Sequence, residues 1–504
     1  MPLFPILITL LLGSTLAWIF FTEHTLRSAL VILIPLLWLL LMSLWWALRR
    51  RGQRLRRMGI ILLAWAVLAV SCIYTLRIDG TQDGAAWLSL SFVWQEKAVH
   101  GLTTAPQAVP TSELAPTPAG VQDMPRFLGE KGDGVLPAGE FSTDWAGRPP
   151  REVWRIPMGA GWSGFAVVGN RAVTQEQRGE LECVTCYELS SGRLLWSHSE
   201  KAFFTELMGG DGPRATPTIH AASNAVFTVG ATGLLHCLDL STGAKKWQAH
   251  LLKDAGATKN LEWGKSASPL LTAAHVICSG GDNGASLVAY DRNNGQPAWK
   301  AGTDGGSYAS PVQMRLDGRE QIITVNRHSV SGHDPSAGTV LWTFDWSETF
   351  PKVAQPVALS ENEILITSSY GVKSHRLRLQ NGLVTVLWAE STPRTKFSSV
   401  SVFGSHAYAL DEGMFCCVNL ENGERLWREG RYGYGQQILI GEELILLQAE
   451  KGPVVLIRPD PAKLIEIARI EALSSKTWNP PTLAGRWLLL RNDREAVCYE
   501  LQSK

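Results

Sequence analysis

Five segments of this chain spell one pattern: CYELSSGRLLW (Cys186–Trp196), CLDLSTGAKKW (Cys237–Trp247), AYDRNNGQPAW (Ala289–Trp299), GHDPSAGTVLW (Gly332–Trp342) and CVNLENGERLW (Cys417–Trp427). Each reads as an alternating strand, a short polar turn containing Gly, and a Trp four residues after that Gly. The Gly supplies a positive φ at a tight reversal, and the Asp, Asn or Ser before it hydrogen-bonds its own backbone. The Trp falls on the following strand, where its ring can bridge to a neighbouring unit and its indole N–H can reach a carbonyl. A unit this small cannot bury its apolar face alone, so such repeats fold only by stacking on one another.

Three weaker copies complete the count. RLRLQNGLVTVLW (Arg376–Trp388) carries two extra residues between Gly and Trp, and RPDPAKLIEIA (Arg458–Ala468) keeps Asp460 but has neither Gly nor Trp. CYELQSK (Cys498–Lys504) stops at its turn, while EVWRIPMG (Glu152–Gly159) resembles a Trp-bearing strand whose partner is missing. Joined, these two make one unit, and a ring closed in this way has no open sheet edge. The expectation is an all-β, eight-bladed β-propeller over residues 151–504, in which Trp196, Trp247, Trp299, Trp342, Trp388 and Trp427 are structural staples. The 20 Trp and 47 Gly of the 504 residues are then a repeat signature.

The chain opens differently. Leu3 to Phe21, Leu30 to Leu48 and Met58 to Thr75 are apolar stretches near the roughly 20 residues that cross a bilayer core as helix. Residues 1–75 therefore read as a three-helix transmembrane anchor, and no basic residue precedes the first apolar run as in a signal peptide. Arg49, Arg50, Arg51, Arg54, Arg56 and Arg57 lie between the second and third stretches. By the positive-inside rule that loop and the N-terminus are cytoplasmic and the propeller is periplasmic, on a bacterial inner membrane. Residues 76–150 read as a connection: an alternating run over Ala86–Trp94, a Pro/Ala/Thr-rich linker over His100–Val121, and a Gly-rich lead-in, FLGEKGDGV (Phe127–Val135).

The repeat, [Ala/Cys/Leu]-x-Asp-x-x-[Thr/Asn/Ser]-Gly-x-x-x-Trp, resembles the pyrroloquinoline-quinone (PQQ) repeat over roughly Arg151 to Lys504. Quinoprotein dehydrogenases carry it, and so does the scaffold lipoprotein of the outer-membrane β-barrel assembly machinery. The resemblance implies the propeller strongly and the function weakly, because enzymes and scaffolds share it. For an enzyme it implies PQQ with calcium on the propeller axis, a catalytic carboxylate, and often a disulfide between adjacent cysteines stacked on the cofactor.

The chain has an adjacent pair, Cys416 and Cys417, but Cys417 is in register with Cys186, Cys237 and Cys498, which reads as packing on an inner strand. Cys183 and Cys186 are three apart on a strand and point to opposite faces, unsuited to chelation. No nucleotide, hydrolase or zinc-protease motif is present, and the 11 His show no metal-ligand spacing, so no metal site and no catalytic residue is assigned. Formal net charge is +1, which gives no ground for a nucleic-acid partner.

In a propeller the loops from one blade's outer strand to the next blade's inner strand converge on one mouth of the channel. The candidate ligand ring read from those loops is Trp162, Arg214, Lys265, Tyr308, Lys352, Gln355, Lys396, Tyr434, Gln436, Trp478 and Asn479, with only Glu262 adding a negative charge. Cations and aromatic faces around a concave mouth suit a planar or anionic ligand. Glu176 is the nearest acidic candidate. The reading is a membrane-tethered, non-catalytic binding or scaffold module with periplasmic or membrane proteins, or a small anionic ligand, as partners; the alternative is a PQQ-dependent dehydrogenase feeding the membrane quinone pool.

Overall fold

The computed structural model describes the chain except residues 1–2, 22–26, 49–50, 82–87, 96–101, 103, 105–113 and 347–350. It divides into two units. The first, essentially residues 1–97, contains helices α1 (Leu3–Phe21), α2 (Arg27–Leu48) and α3 (Arg54–Thr75), followed by a hairpin pairing Leu76–Thr81 with Leu88–Phe92. All three apolar stretches are helical. Among the described residues only α3 is long and apolar enough to cross a membrane, and none of its side chains is buried. The apolar parts described in α1 and α2, Pro5–Leu16 and Ile34–Leu48, are shorter.

The second unit is the propeller. Eight antiparallel sheets follow one another, and in seven of them four strands run in chain order. Blade 1 is Ala166–Val168, Arg171–Arg178, Leu181–Glu188 and Leu194–Lys201; blade 2 is Thr218–His220, Ala225–Val229, Leu234–Asp239 and Lys245–His250. Blades 3 to 7 begin at Leu270, Val312, Val357, Ser401 and Gln436. Blade 8 joins Thr482–Ala484, Trp487–Arg491 and Glu495–Glu500 to Arg151–Pro157 from the beginning of the unit. Cys498 pairs with Trp154 there, so the ring closes as its truncated last repeat requires. Arg151 and Arg155 reinforce the seam through Glu500 and Glu495.

Burial falls toward the fourth strand of each blade: the second and third strands of blade 1 are almost wholly buried, whereas Arg425–Arg431 of blade 6 is mostly exposed apart from Trp427. The repeat Trp therefore sits on the outermost strand. Trp196 donates to Leu240 O of the next blade (2.8 Å), Trp247 to Arg292 O (3.1 Å), Trp388 to Leu420 O (2.7 Å) and Trp427 to Asp460 O (3.1 Å). Trp154 does the same across the seam, to Leu189 O (2.7 Å). Two staples depart from this pattern. Trp342 donates to Gln321 of its own blade, and the buried Trp299 Nε1 has no hydrogen-bond partner.

The cysteines in register occupy the third strand from the channel, not an inner one, and all are free and buried. Cys416 and Cys417 point to opposite faces of their strand. Cys416 packs with Leu365 and Trp388 of blade 5, and Cys417 with Leu447 and Val455 of blade 7.

Most of the expected linker over His100–Val121 lies outside the described residues. Beyond it the chain is ordered against the propeller: Met124 bridges to Val167, Ile219 N donates to Pro125 O, and Arg486 N donates to Gly120 O. The Gly-rich lead-in ends in Val135–Leu136, which pairs in parallel with Leu439 and Ile440 and adds a fifth strand to blade 7. These contacts fall at first-to-second strand turns, the end of the propeller opposite the candidate loop ring.

Candidate functional site

The loops between blades bring part of the expected ring together, but as a plug. Trp162 and Trp478 meet with ring centroids 4.9 Å apart, Trp478 meets Phe397 at 5.0 Å, and Phe397 meets Tyr434 at 5.8 Å. A second group stacks Tyr308 on Trp263 (5.3 Å) and sets Trp263 against Tyr370 (6.1 Å). Lys396 lies 4.1 Å from the Tyr434 centroid and 5.8 Å from that of Tyr370, and so links the two groups. Trp478 and Phe397 enter from non-adjacent inter-blade loops, and Trp263 and Tyr370 likewise from non-adjacent blades, so the described rings of the mouth pack on one another rather than standing apart.

The cations are spent inside the protein. Lys265 and Lys352 are fully buried; their ammonium groups donate to Gly280 O and to Arg327 O (2.7 Å) respectively. Burial pushes each pKa down to about 8. Arg214 donates to Gly212 O and lies over Phe204 at 4.7 Å. Lys396 pairs with Glu412 at 3.5 Å. The neutral members are tied as well: Gln436 Nε2 donates to Phe397 O (2.9 Å), Asn479 Nδ2 to Ser163 O (2.8 Å), and the Gln355 amide, in the orientation that satisfies it, pairs with the backbone of Ser310 (2.8 and 2.9 Å).

The acids missing from the inter-blade loops come from the turns between second and third strands, which open on the same mouth. Glu412 accepts from Tyr434 Oη (2.9 Å), and Glu450 accepts from Trp478 Nε1 (2.7 Å) and Tyr434 N (3.1 Å). Asp282 pairs with Arg327. Lys476, two residues before Trp478 and not among the residues expected from the sequence, lies 4.2 Å from the Trp478 centroid and 5.0 Å from that of Trp162. Burial lowers its pKa, against the opposing pull of Asp493 and Glu450. An acid within two residues of the end of the second strand in blades 6, 7 and 8 was the available sequence signal.

Glu176 is buried completely and belongs to a structural lock. It accepts from Gly159 N (2.5 Å), Tyr187 Oη (2.8 Å) and Arg178 (3.2 Å). Burial opposes its charge, yet Arg178, Arg491 and the Gly159 N–H hold the carboxyl below its ordinary value. Arg491 in turn donates to Gln175 O (2.7 Å) and Gly159 O (3.0 Å), which fixes blade 8 to blade 1.

The architecture and the repeat have recognised relatives. Residues 181–429 match the family described as outer membrane protein assembly factor BamB. The propeller is built of PQQ-type repeats. Among solved structures, BamB from Moraxella catarrhalis is similar at 16% identity and a TM-score of 0.52, covering 70% of this chain and 97% of its own. A europium-containing methanol dehydrogenase is similar at 11% identity and a TM-score of 0.55, covering 73% and 89%. A quinohemoprotein alcohol dehydrogenase from Pseudomonas putida HK5 is similar at 10% identity and a TM-score of 0.56, covering 76% and 81%. At these identities the likeness is one of fold. No curated protein sequence matches the chain.

The residues at this PQQ-type mouth do not fit the quinone. A planar tricarboxylate needs an open slot and cations facing into it, whereas here the described aromatic rings of the mouth pack on one another and the two most deeply placed lysines are bound to backbone carbonyls. The adjacent cysteines lie in two different inter-blade cores and cannot stack on a common ligand.

Proposed function

We propose that this protein is a membrane-tethered, non-catalytic propeller that presents its loop surfaces to protein partners, as a scaffold. The observation that carries the reading is the aromatic plug: Trp162, Trp478, Phe397, Tyr434, Tyr370, Trp263 and Tyr308 occupy the place where a cofactor-dependent propeller needs a slot. Rings packed on one another across the mouth leave the rims and outer strands as the surfaces for recognition. The match to the BamB family supports the same direction, and the three apolar helices supply the tether. The Arg-rich segment between α2 and α3 puts the propeller on the opposite side of the membrane from that segment, in the periplasm of a bacterial cell.

The test is binding and turnover of the quinone. Purified full-length protein is mixed with micromolar PQQ and calcium, and quinone absorbance and dye reduction with alcohols and aldoses are followed. No stoichiometric binding and no reduction is the expected result. Tight one-to-one binding with turnover overturns the scaffold reading in favour of the dehydrogenase.

A further inference from the structure

The outer strand of blade 1 presents Trp196, His198 and Glu200 on one face, because side chains two apart on a strand point the same way. Trp196 shows where that face looks, since its indole donates to Leu240 O of blade 2. Opposite it stand His236, on the third strand of blade 2, and Lys245, at the start of the fourth. Two imidazoles and a carboxylate from two blades thus converge on one seam.

Their geometry is that of a ligand set. His198 Nε2 lies 3.3 Å and His236 Nε2 3.6 Å from Glu200 Oε1, and the three donor atoms all fall within 4.8 Å of one another. A tetrahedral ion with bonds of about 2.1 Å holds its donors about 3.4 Å apart. The two imidazole rings meet edge to face with centroids 5.1 Å apart. Both Nε2 atoms are shut off from solvent, and each faces Glu200 Oε1. His236 is 95% buried, its side chain only 5% exposed. Two buried imidazole nitrogens from different blades, both aimed at one carboxylate oxygen, form a three-donor set that a cation can join.

We propose that His198, Glu200 and His236 bind a divalent transition metal of the zinc class at the seam between blades 1 and 2. Imidazole and carboxylate donors at this spacing suit zinc or cobalt better than calcium or magnesium, which require oxygen. Lys245 Nζ, 2.9 Å from Glu200 Oε1, holds the carboxylate in place of the ion and is itself 41% exposed, free to swing toward solvent as the ion enters. A metal there would join the blades as a structural tie, with water completing its coordination. Nothing in this proposal depends on the scaffold reading.

The experiment uses the full-length chain without a histidine tag, stripped with chelator, then titrated with cobalt(II) followed by zinc(II). Expected are one equivalent of cobalt with tetrahedral ligand-field absorption, its displacement by zinc, and a zinc-dependent rise in Tm. His198→Ala and His236→Ala should each weaken binding by at least about 100-fold, beyond the roughly 10–100-fold cost of losing a merely supporting residue. His406→Ala should leave it unchanged. If His236→Ala does not fold, Lys245→Ala decides: removing the competing ammonium must hold or strengthen cobalt affinity. Absence of stoichiometric binding, binding that survives both histidine substitutions, or weaker binding in Lys245→Ala overturns the site.

Discussion

A Cβ placed on Gly243 would come within 2.5 Å of Cε3 of Trp196, the tryptophan of the preceding blade. The same relation ties Gly192 to Trp154, Gly295 to Trp247 and Gly423 to Trp388. The two signature residues of the repeat are therefore partners across each seam, and the Gly does more than reverse the chain. Gly243→Ala should cost about 2–4 kcal/mol, combining the φ of +73° with the overpacked ring. Trp196→Leu should relieve the steric part, so that Gly243→Ala in that background costs only about 1–2 kcal/mol. Urea denaturation of the four proteins in this cycle measures the coupling; strict additivity would show that the ring and the glycine do not meet.

Closure of the ring by Cys498 against Trp154 predicts that the last strand is indispensable. Removing residues 495–504 exposes the edge of Trp487–Arg491 and the inner edge of Arg151–Pro157, each a template for pairing with another chain. The truncated protein should lose its single cooperative transition and form oligomers by strand exchange, read by size-exclusion chromatography with light scattering. A monomer of wild-type stability would place the seam elsewhere.

The repeat made the blades, their number and the seam legible because Gly, Asp and Trp act locally, within a turn and its next neighbour. Asp239 shows this: it accepts from the N–H groups of Ser241 and Thr242, as its place before the turn Gly suggests. The mouth was legible only in half. Trp162, Tyr434 and Trp478 were found from the inter-blade loops, but the acids that hold Tyr434 and Trp478, Glu412 and Glu450, enter from turns that alternate with those loops around the same rim. Burial was not legible at all: Lys265 and Lys352 read as surface cations because a charge in a loop normally faces water. His198 and His236 belong to different repeats, so no spacing along the chain announces that they meet.

Trp478 is the keystone of the plug, in contact with Trp162 and Phe397 and bonded to Glu450. Trp478→Ala should cost about 3–5 kcal/mol, as for other buried aromatic truncations. It should also open the mouth, so that an apolar fluorescent dye brightens at concentrations where the wild type leaves it dark. Loss of stability without dye binding would mean that the remaining rings collapse into the space.

Glu182 provides the clearest pH dependence. It is buried in blade 1, where its Oε2 accepts from Ala231 N of the next blade (2.9 Å), and burial pushes its carboxyl up to about 7 from 4.5. Between those values the folded protein keeps a proton that the unfolded chain has released. Stability is thus full below about pH 4.5 and falls as pH rises through 7, by roughly 3 kcal/mol at about 1.4 kcal/mol per unit. Glu182→Gln retains the acceptor for Ala231 N and removes the titration. The variant should match the wild type at pH 4 and exceed it by up to roughly 3 kcal/mol at pH 8. Urea midpoints across this range give the comparison, and parallel pH profiles for the two proteins would show that Glu182 ionises freely in the fold.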